Sequence, residues 1–307
     1  MGFQFRAKRK EPRFLRSNGT PSFSSRVYEK PSEVSVIARR PVVTATPTTP
    51  VFEALKTMAA RGFRRLPITS PSGRLLGIIT AMDFMDFFGG GKKFDIIVNR
   101  HKGRLYAALN EALEQIMTRD VVKSYLNETF VDVLAKMVKY NVGAIPIVTD
   151  DEKIFGIITE KDVVDHLAEK MTGKRVEEVM SSEVITIPPS TTLLEALKVM
   201  VSNGFRRLPV KGDRGVEGII VAMDVVRFLG STRIFEFIKS DSIYDVLNVG
   251  VQDLMTKSVV SISPESDIGE AADLMRKTNR GSLLVIEKGE LVGIITERDL
   301  LIAIALE

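Results

Sequence analysis

Gly-Ile-Ile-Thr-Ala-Met-Asp occupies residues 77–83, and three close copies of it follow along the chain. They are Gly-Ile-Ile-Thr-Glu-Lys-Asp at 156–162, Gly-Ile-Ile-Val-Ala-Met-Asp at 218–224 and Gly-Ile-Ile-Thr-Glu-Arg-Asp at 293–299. Each copy joins a short apolar run, typical of a buried strand, to an acidic residue suited to the start of a helix. Recurrence of this kind indicates a repeat architecture, so the 307 residues are interpreted as four units.

A second phrase precedes each copy and divides the repeats into two types. It reads Gly-Phe-Arg-Arg-Leu-Pro at 62–67 and 204–209, Val-Gly-Ala-Ile-Pro at 142–146 and Arg-Gly-Ser-Leu-Leu at 280–284. Repeats 1 and 3 also share the Ala-Met-Asp ending, whereas repeats 2 and 4 share Thr-Glu-Lys/Arg-Asp and an opening Met-Thr. This alternation indicates that an ancestral pair of units was itself duplicated.

In this order, the phrases closely resemble the CBS domain, the family named after cystathionine β-synthase. Four ordered matches make the resemblance specific, and it covers roughly 34–307. It implies an α+β fold in which CBS units pair into Bateman modules, so we expect two tandem modules packed into one flat, pseudo-symmetric disc. The predicted domains are a basic arm at 1–33, CBS 1 at 34–90, a connector at 91–111, CBS 2 at 112–171, CBS 3 at 172–231, a connector at 232–249 and CBS 4 at 250–307.

Each repeat is predicted to follow the element order β-α-β-β-α, as repeat 1 illustrates. The β-branched stretch Val42–Ala45 predicts a strand, followed by a helix with an apolar stripe. Leu66–Thr69 and Leu75–Thr80 predict a hairpin, and a second helix is expected at Ala81–Phe88. Two apolar segments between repeats predict packed connectors, at 89–111 and 230–250.

Composition narrows the class of protein. There is no cysteine, which excludes disulfides, thiolate metal ligands and a cysteine nucleophile. No apolar run reaches membrane-spanning length and the start lacks a secretory signal, so we expect a cytoplasmic protein without a membrane partner. The two histidines, His101 and His166, are expected on the solvated surface, and no metal site is predicted. No phosphate-cradling loop is complete, so the chain is not expected to be an enzyme.

The terminal Thr-x-x-Asp points to binding. Its threonine ends a strand, and its aspartate falls in the first helical turn, near exposed backbone N–H groups and the positive end of the helix dipole. A ribose diol can donate to this carboxylate, while a phosphate can accept from the threonine, the backbone and a nearby arginine. The alternative is a capping box, with Thr80 as N-cap and Asp83 reaching back to it. In repeat 3, Val221 replaces the threonine while Asp224 remains.

The family resemblance implies two clefts per module, each combining the Thr and Asp of one unit with adenine-contacting residues of its partner. It places Thr80 and Asp83 with Val122 and Val142, Thr159 and Asp162 with Val43 and Phe63, Asp224 with Val260 and Arg280, and Thr296 and Asp299 with Ile185 and Phe205. It also places phosphate-contacting residues at Arg64, Arg65, Arg206 and Arg207, with inter-module ion pairs or solvated positions as the alternative. The Asp83 cleft is the best candidate for an anionic nucleotide, and the Asp224 cleft is the weakest.

Excess positive charge lies at the N-terminus. Residues 1–40 hold ten Lys and Arg against three Glu, a balance of +7, whereas the remaining 267 residues hold 33 basic and 36 acidic side chains, a balance of −3. With its interspersed aromatic residues, the arm has the composition of segments that neutralise phosphates and stack on unpaired bases. The predicted RNA-contacting residues are Arg6, Lys8, Arg9, Lys10, Arg13, Phe14 and Arg16. The alternative is a solubilising tail.

The sequence therefore favours a non-catalytic energy sensor, a monomeric disc or homodimer, that binds AMP, ADP or ATP and regulates a partner. Family analogy and the basic arm favour the ribosome or other structured RNA as that partner. One alternative is a regulatory subunit of a separate enzyme, kinase or transporter. A second is a DNA-binding regulator, although no helix-turn-helix is apparent. S-adenosylmethionine stays open as a ligand, because adenosine recognition does not fix what the ribose carries.

Overall fold

The structure, a computed structural model, describes residues 33–168 and 171–305. Residues 1–32 of the predicted basic arm, including its predicted RNA-contacting side chains, lie outside the described residues. Repeat 1 and its connector contain α1 Glu33–Ile37, α2 Val51–Arg61, β1 Arg65–Thr69, β2 Leu75–Thr80, α3 Ala81–Met85 and α4 Leu105–Leu109. Repeat 2 contains β3 Ser124–Tyr125, α5 Phe130–Lys139, β4 Ala144–Val148, β5 Ile154–Thr159 and α6 Glu160–Leu167. Repeat 3 and its connector contain α7 Val176–Val179, α8 Leu193–Asn203, β6 Arg207–Gly212, β7 Gly215–Val221, α9 Ala222–Leu229 and α10 Ile243–Leu247. Repeat 4 contains β8 Ser261–Ile262, α11 Ile268–Thr278, β9 Ser282–Glu287, β10 Glu290–Thr296 and α12 Glu297–Ala305.

The predicted hairpin is present in repeat 1, and an antiparallel pair of the same kind recurs in the other repeats. Strand β1 pairs with β2 so that Leu66 lies opposite Ile79. Gly73 in the turn adopts a φ of 82°, a left-handed conformation that a residue without Cβ reaches readily. Strand β2 ends at Thr80 and α3 begins at the next residue, so Thr80 is the helix N-cap. This junction places the aspartate of the repeated phrase in the first helical turn.

The predicted first strand is much shorter than expected. In repeats 1 and 3 it is reduced to one parallel bridge each, Ala45 with Ile68 and Ile187 with Val210. The residues that would donate the next hydrogen bond of the parallel ladder are Pro47 and Pro189, which have no N–H. The prediction of a strand over 42–45 was therefore wrong in length, because the prolines that mark the turn also stop the pairing.

The helix predicted over 81–88 also ends early. Helix α3 stops at Met85, and the chain continues as a π-helical turn over Asp86–Gly90. Gly89 has a φ of 135°, and a Cβ on Gly90 would lie 2.7 Å from the carbonyl oxygen of Leu197 in α8. The close packing of α8 on this glycine pair changes the helical path.

The described residues form two compact units, and each unit joins repeats of one sequence type. The repeat-1/3 unit comprises Val43–Val121 and Ile185–Val259. Within it, α2 and α3 pack against α9, and the rings of Phe84, Phe87 and Phe88 are fully buried. Each such ring contributes roughly 1.5–3 kcal/mol through apolar burial.

The two connectors belong to the core of the repeat-1/3 unit, which confirms that they are packed. Ile97, Leu105, Ile234 and Ile243 are fully buried. The connectors also pair with each other, since the backbone N–H of Leu105 donates to the carbonyl of Asp241 at 2.8 Å. Repeats 1 and 3 are thereby joined by segments outside the repeats as well as by their helices.

The repeat-2/4 unit contains residues 33–42, 122–168, 171–184 and 260–305. Helix α6 packs against α11 and α12, and α12 packs against α5. Val34 of α1 is fully buried in a cluster that includes Phe130 of repeat 2. The first segment of repeat 1, residues 33–42, therefore belongs to the unit of repeats 2 and 4.

The residue types that distinguish the repeats form the contacts within each unit. In the repeat-1/3 unit the Ala-Met pair is apolar, and Ala222 and Met223 are buried. In the repeat-2/4 unit, Arg298 donates to the carbonyl oxygens of Met137 at 2.9 Å and Val142 at 3.2 Å, and so caps α5. Arg298 also contacts the buried Glu160 at 3.5 Å. The Glu-Arg pair that distinguishes repeat 4 from repeats 1 and 3 thus supplies polar contacts to repeat 2.

The junction between repeats 2 and 3 is held by Asp267, the N-cap of α11. Its carboxylate accepts from the backbone N–H groups of Gly269 at 2.7 Å and Gly173 at 2.8 Å, and from the Thr172 hydroxyl at 3.1 Å. Burial raises the pKa of Asp267, but these hydrogen bonds bring it below its usual value. One carboxylate thus caps a helix and fixes the junction.

Candidate functional site

The aspartate of each Gly-Ile-Ile phrase is fixed by the strand end that precedes it. Asp83 Oδ2 accepts from the Thr80 backbone N–H at 2.8 Å and the Thr80 hydroxyl at 2.7 Å. The corresponding distances are 2.7 and 2.8 Å at Asp162, and 2.8 and 2.7 Å at Asp299. Asp224 keeps the backbone bond at 3.0 Å, although a valine there has no hydroxyl to donate. These bonds confirm the capping alternative. In repeats 1, 2 and 4 the Oδ2 atom accepts both bonds, and in repeat 3 it accepts the backbone bond.

The second oxygen of Asp83 contacts groups from outside the helix start. Lys93 Nζ, in the connector, donates to Asp83 Oδ1 at 2.5 Å. The Thr118 hydroxyl lies 3.4 Å from the same oxygen. The Asp83 residue is 9% exposed, so this pair is largely shielded from solvent and the lysine neutralises a carboxylate that has lost most of its hydration.

Asp162 and Asp224 also have cations at Oδ1. Arg39 Nε donates to Asp162 Oδ1 at 2.5 Å, and Arg39 Nη2 donates to Asp165 Oδ2 at 2.8 Å. Arg227, one helical turn beyond Asp224, donates to its Oδ1 at 3.1 Å. Burial lowers the pKa of Arg39, but its hydrogen bonds and the charges of the two aspartates raise it above its usual value, so the guanidinium stays charged.

Sequence reasoning missed Lys93, Arg39 and Arg227 as partners of the aspartates. The spacing of Arg227 three residues after Asp224 is a readable signal, because such residues share one helix face. Arg39 can be found by aligning the repeat starts, since it stands where repeats 2 and 4 have Thr118 and Thr256. Lys93 has no such signal, because the fold of the connector brings it to Asp83.

The predicted phosphate-contacting arginines lie beside the helix starts of their own repeats. Arg65 pairs with Thr80 across the hairpin, and Arg207 pairs with Val221. The carbonyl oxygen of Arg64 accepts from the first N–H of α3 at 2.9 Å, and the carbonyl of Arg206 makes the equivalent 2.8 Å bond in repeat 3. The backbone geometry thus brings these arginines next to the Asp83 and Asp224 helix starts, and their contact with phosphate stays a prediction.

The predicted adenine-contacting residues fall in the other compact unit from the aspartates they were matched with. Val122, Val142, Val260 and Arg280 belong to the repeat-2/4 unit, whereas Val43, Phe63, Ile185 and Phe205 belong to the repeat-1/3 unit. Phe63 is 37% exposed, and the other seven are half-buried. The pairing of aspartates with these residues therefore stays a prediction.

One of the two histidines contacts an acidic side chain. His101 was expected in solvent, but its Nε2 lies 2.8 Å from Glu111 Oε2 and its side chain is 17% exposed, so that expectation was wrong. The side chain of His166 lies outside the described residues. Across 33–168 and 171–305, no group of three or more acidic or histidine side chains is arranged to hold a metal ion. No helix in that part of the chain has the length and apolar character needed to cross a bilayer.

Comparison with known proteins identifies the repeats. The model of the CBS domain matches residues 33–90, 113–169, 176–231 and 251–306. Protein MJ1225 of Methanocaldococcus jannaschii is 32% identical over 271 residues, which cover 87% of this chain and 97% of that protein. Its crystal structure, described as a candidate archaeal homologue of g-AMPK, superposes with a TM-score of 0.82 at 33% identity and covers 87% of this chain and 98% of that one. A 33.4 kDa protein of Thermofilum pendens, described as lying in a ribosomal RNA operon, is 30% identical over 88% of this chain and 90% of its own.

Proposed function

The chain belongs to the CBS-domain family, and from that premise we propose that it is a non-catalytic sensor of adenine nucleotides. The observation that supports this proposal is that the two oxygens of the repeated aspartate have different partners. Oδ2 is held by the strand end, and in three repeats Oδ1 meets a cation. The ribose hydroxyls of a nucleotide can donate to Oδ1, and the displaced cation can pair with the phosphate. Both charged groups would then keep a partner, which limits the cost of binding.

The Asp83 site is the preferred nucleotide site. It combines Lys93 at 2.5 Å, the Thr118 hydroxyl and the neighbouring Arg64 and Arg65. This concentration of positive charge favours AMP, ADP or ATP over neutral adenosine or cationic S-adenosylmethionine. The Asp224 site is weaker, since its valine cannot donate to a phosphate. The description of MJ1225 as a candidate homologue of g-AMPK supports an adenine nucleotide as the ligand.

The decisive experiment is calorimetric titration of the purified chain with AMP, ADP, ATP, adenosine, S-adenosylmethionine and GTP. Saturable binding of adenine nucleotides, with GTP much weaker, is the expected result. If none of the adenosine ligands bound at concentrations up to the millimolar range, the proposal would fail. Asp83→Ala, which removes Oδ1, should weaken the tightest component.

The partner we propose is structured RNA, most directly the ribosome, bound through the basic arm. The charge balance of +7 in residues 1–40 against −3 elsewhere supports this, since such an arm can release counterions from a phosphate backbone. The Thermofilum pendens relative's place in a ribosomal RNA operon is consistent with it. The expected result is co-sedimentation with ribosomal subunits that weakens steeply with salt.

A regulatory subunit of a separate enzyme is the second candidate, because the described relationship of MJ1225 to g-AMPK favours it. Affinity purification at native salt, with identification of both RNA and protein, separates the two candidates. Recovery of ribosomal RNA supports the arm proposal. Recovery of one stoichiometric enzyme without RNA supports the second candidate, and a preference for duplex DNA would instead indicate a DNA-binding regulator.

A further inference from the structure

The repeat openers give Arg39 an unusual position. An opener is the triplet before the first strand of a repeat, and the four are Ile37-Ala38-Arg39, Ile116-Met117-Thr118, Val179-Met180-Ser181 and Leu254-Met255-Thr256. The third residue of each opener forms an antiparallel bridge with the first isoleucine of a Gly-Ile-Ile phrase, and the bridges are Arg39 with Ile157, Thr118 with Ile78, Ser181 with Ile294 and Thr256 with Ile219. Three of these positions carry a small hydroxyl, and one carries a guanidinium.

Packing confirms that the four openers are equivalent. The second residue lies against the glycine of the bridged phrase: a Cβ on Gly77 would be 2.7 Å from Met117 Sδ, and a Cβ on Gly156 would be 2.7 Å from the Cβ of Ala38. Arg39 therefore occupies the place that Thr118 holds beside Asp83. The arginine is a change of chemistry at a fixed position.

The backbone of Arg39 is anchored while its side chain bridges two carboxylates. Its N–H donates to the Ile157 carbonyl at 3.0 Å, and its carbonyl accepts from the Ile157 N–H at 3.3 Å. Its guanidinium donates to Asp162 at 2.5 Å and to Asp165 at 2.8 Å. The Asp162 side chain is 8% exposed, whereas those of Arg39 and Asp165 are 48% and 37% exposed. The guanidinium can thus turn toward solvent, but the Asp162 carboxylate cannot.

A ligand whose ribose donates to Asp162 Oδ1 competes with the Arg39 Nε–H for that oxygen. Adenosine offers the released guanidinium no anionic group in return, so the displacement costs a charge-assisted hydrogen bond. A ligand with a phosphate on the same ribose supplies a new anionic partner, and a planar guanidinium pairs well with phosphate. The balance of the exchange therefore depends on the charge of the ligand.

We propose that Arg39 is the specificity-determining residue of the Asp162 site and makes it selective for phosphorylated adenosine ligands over adenosine. This rests on the proposed nucleotide binding. The other three openers carry Thr or Ser at this position, and the cations at Asp83 and Asp224 come from outside the openers, from Lys93 and Arg227. The sites built on one repeated phrase therefore differ in the residue that a ligand has to displace.

The test measures AMP and adenosine binding by calorimetry in the full chain. The component of binding removed by Asp162→Ala defines the site. In Arg39→Thr, which installs the residue of two other openers, the ratio of AMP to adenosine affinity in that component should fall by about ten- to hundredfold, the scale of one charge-assisted hydrogen bond. Arg39→Lys keeps a cation and should retain most of the preference.

Arg40→Thr is the matched control. Arg40 is the next residue of the same segment, but its guanidinium lies 4.5 Å above the ring of Phe155. The Arg40→Thr substitution should leave the ratio of AMP to adenosine affinity unchanged. An unchanged ratio in Arg39→Thr, or an equal gain for both ligands, overturns the selectivity role and makes Arg39 a plain competitor for Asp162. If Asp162→Ala removes no binding while Asp83→Ala does, the inference fails and the proposed function stands; if no variant or ligand shows binding, both fail.

Discussion

Replacing Asp83 by alanine tests both roles of the repeated carboxylate at once. The substitution removes the Oδ2 cap, with its 2.8 and 2.7 Å bonds to Thr80, and the Oδ1 atom that meets Lys93. Loss of an N-terminal cap destabilises a protein by about 0.5–2 kcal/mol. Loss of a buried acceptor for ligand hydroxyls should weaken nucleotide binding by about 1–3 kcal/mol, or roughly 5- to 150-fold.

The chain offers a matched control for the cap. Asp132 begins α5 with the same box, since its Oδ2 accepts from the Thr129 N–H at 2.9 Å and the Thr129 hydroxyl at 2.7 Å. It does not follow a Gly-Ile-Ile phrase. We expect Asp132→Ala to lower the free energy of unfolding by the share of the cap alone, which is less than in Asp83→Ala, where Lys93 also loses its partner, and to leave the nucleotide affinity unchanged.

Urea denaturation followed by circular dichroism, together with calorimetric titration of AMP, measures the two effects separately. If both variants lost stability and neither lost affinity, Asp83 would be a helix cap only. If Asp132→Ala lost affinity as well, the loss in Asp83→Ala would reflect unfolding of the chain. Only a loss of affinity confined to Asp83→Ala supports a ligand contact.

Four further outcomes are expected. Replacing Arg64 and Arg65 with Gln should weaken AMP binding far more than adenosine binding in calorimetry, and equal losses would assign both to packing or ion pairs. Deleting residues 2–30 should abolish ribosome co-sedimentation but preserve nucleotide affinity, and unaltered sedimentation would end the ribosome proposal. Asp267→Asn should lower the free energy of unfolding at pH 7 by about 1–3 kcal/mol. Because the folded pKa of Asp267 lies below its unfolded value, its contribution is present above the unfolded pKa and is lost as pH falls through the folded one, so the mutant and wild type should converge at strongly acidic pH. Arg298→Ala breaks the largely buried contact with Glu160 and should cost about 3–5 kcal/mol in urea denaturation, and a cost under about 1 kcal/mol would indicate a surface pair.

Much of the fold could be predicted because the repeats supply the same local signals four times. The predicted strand over 75–80 is β2 itself, and β1 begins one residue earlier than predicted. The wrong predictions come from contacts between elements that are distant in sequence. Helix α3 ends early because α8 packs on Gly89 and Gly90, and no local propensity encodes that contact.

The candidate site likewise has a part that could be predicted from local sequence and a part that depends on tertiary contacts. The Thr–Asp capping geometry is local, so sequence alone could state it as an alternative. The partners of Oδ1 are mostly distant in sequence: Arg39 is 123 residues from Asp162, and their contact requires the opener of repeat 1 to lie on repeat 2. Only Arg227, three residues from Asp224, lies within the range of a helical pattern.

The separate roles of Oδ2 and Oδ1 suggest how four copies of one sequence phrase could bind a ligand with different affinities. The capping half of the carboxylate is retained in all four repeats, because losing it destabilises a helix wherever the repeat stands. The Oδ1 atom takes no part in capping, and its partners differ: a lysine and a threonine at Asp83, an arginine from the opener of repeat 1 at Asp162, and an arginine of the same helix at Asp224. Since each partner sets a different cost for admitting a ribose, the sites should fill at different ligand concentrations. A single-site isotherm with four equivalent sites would contradict this reasoning, whereas a stepped isotherm whose steps disappear one at a time in the four Asp→Ala variants would support it.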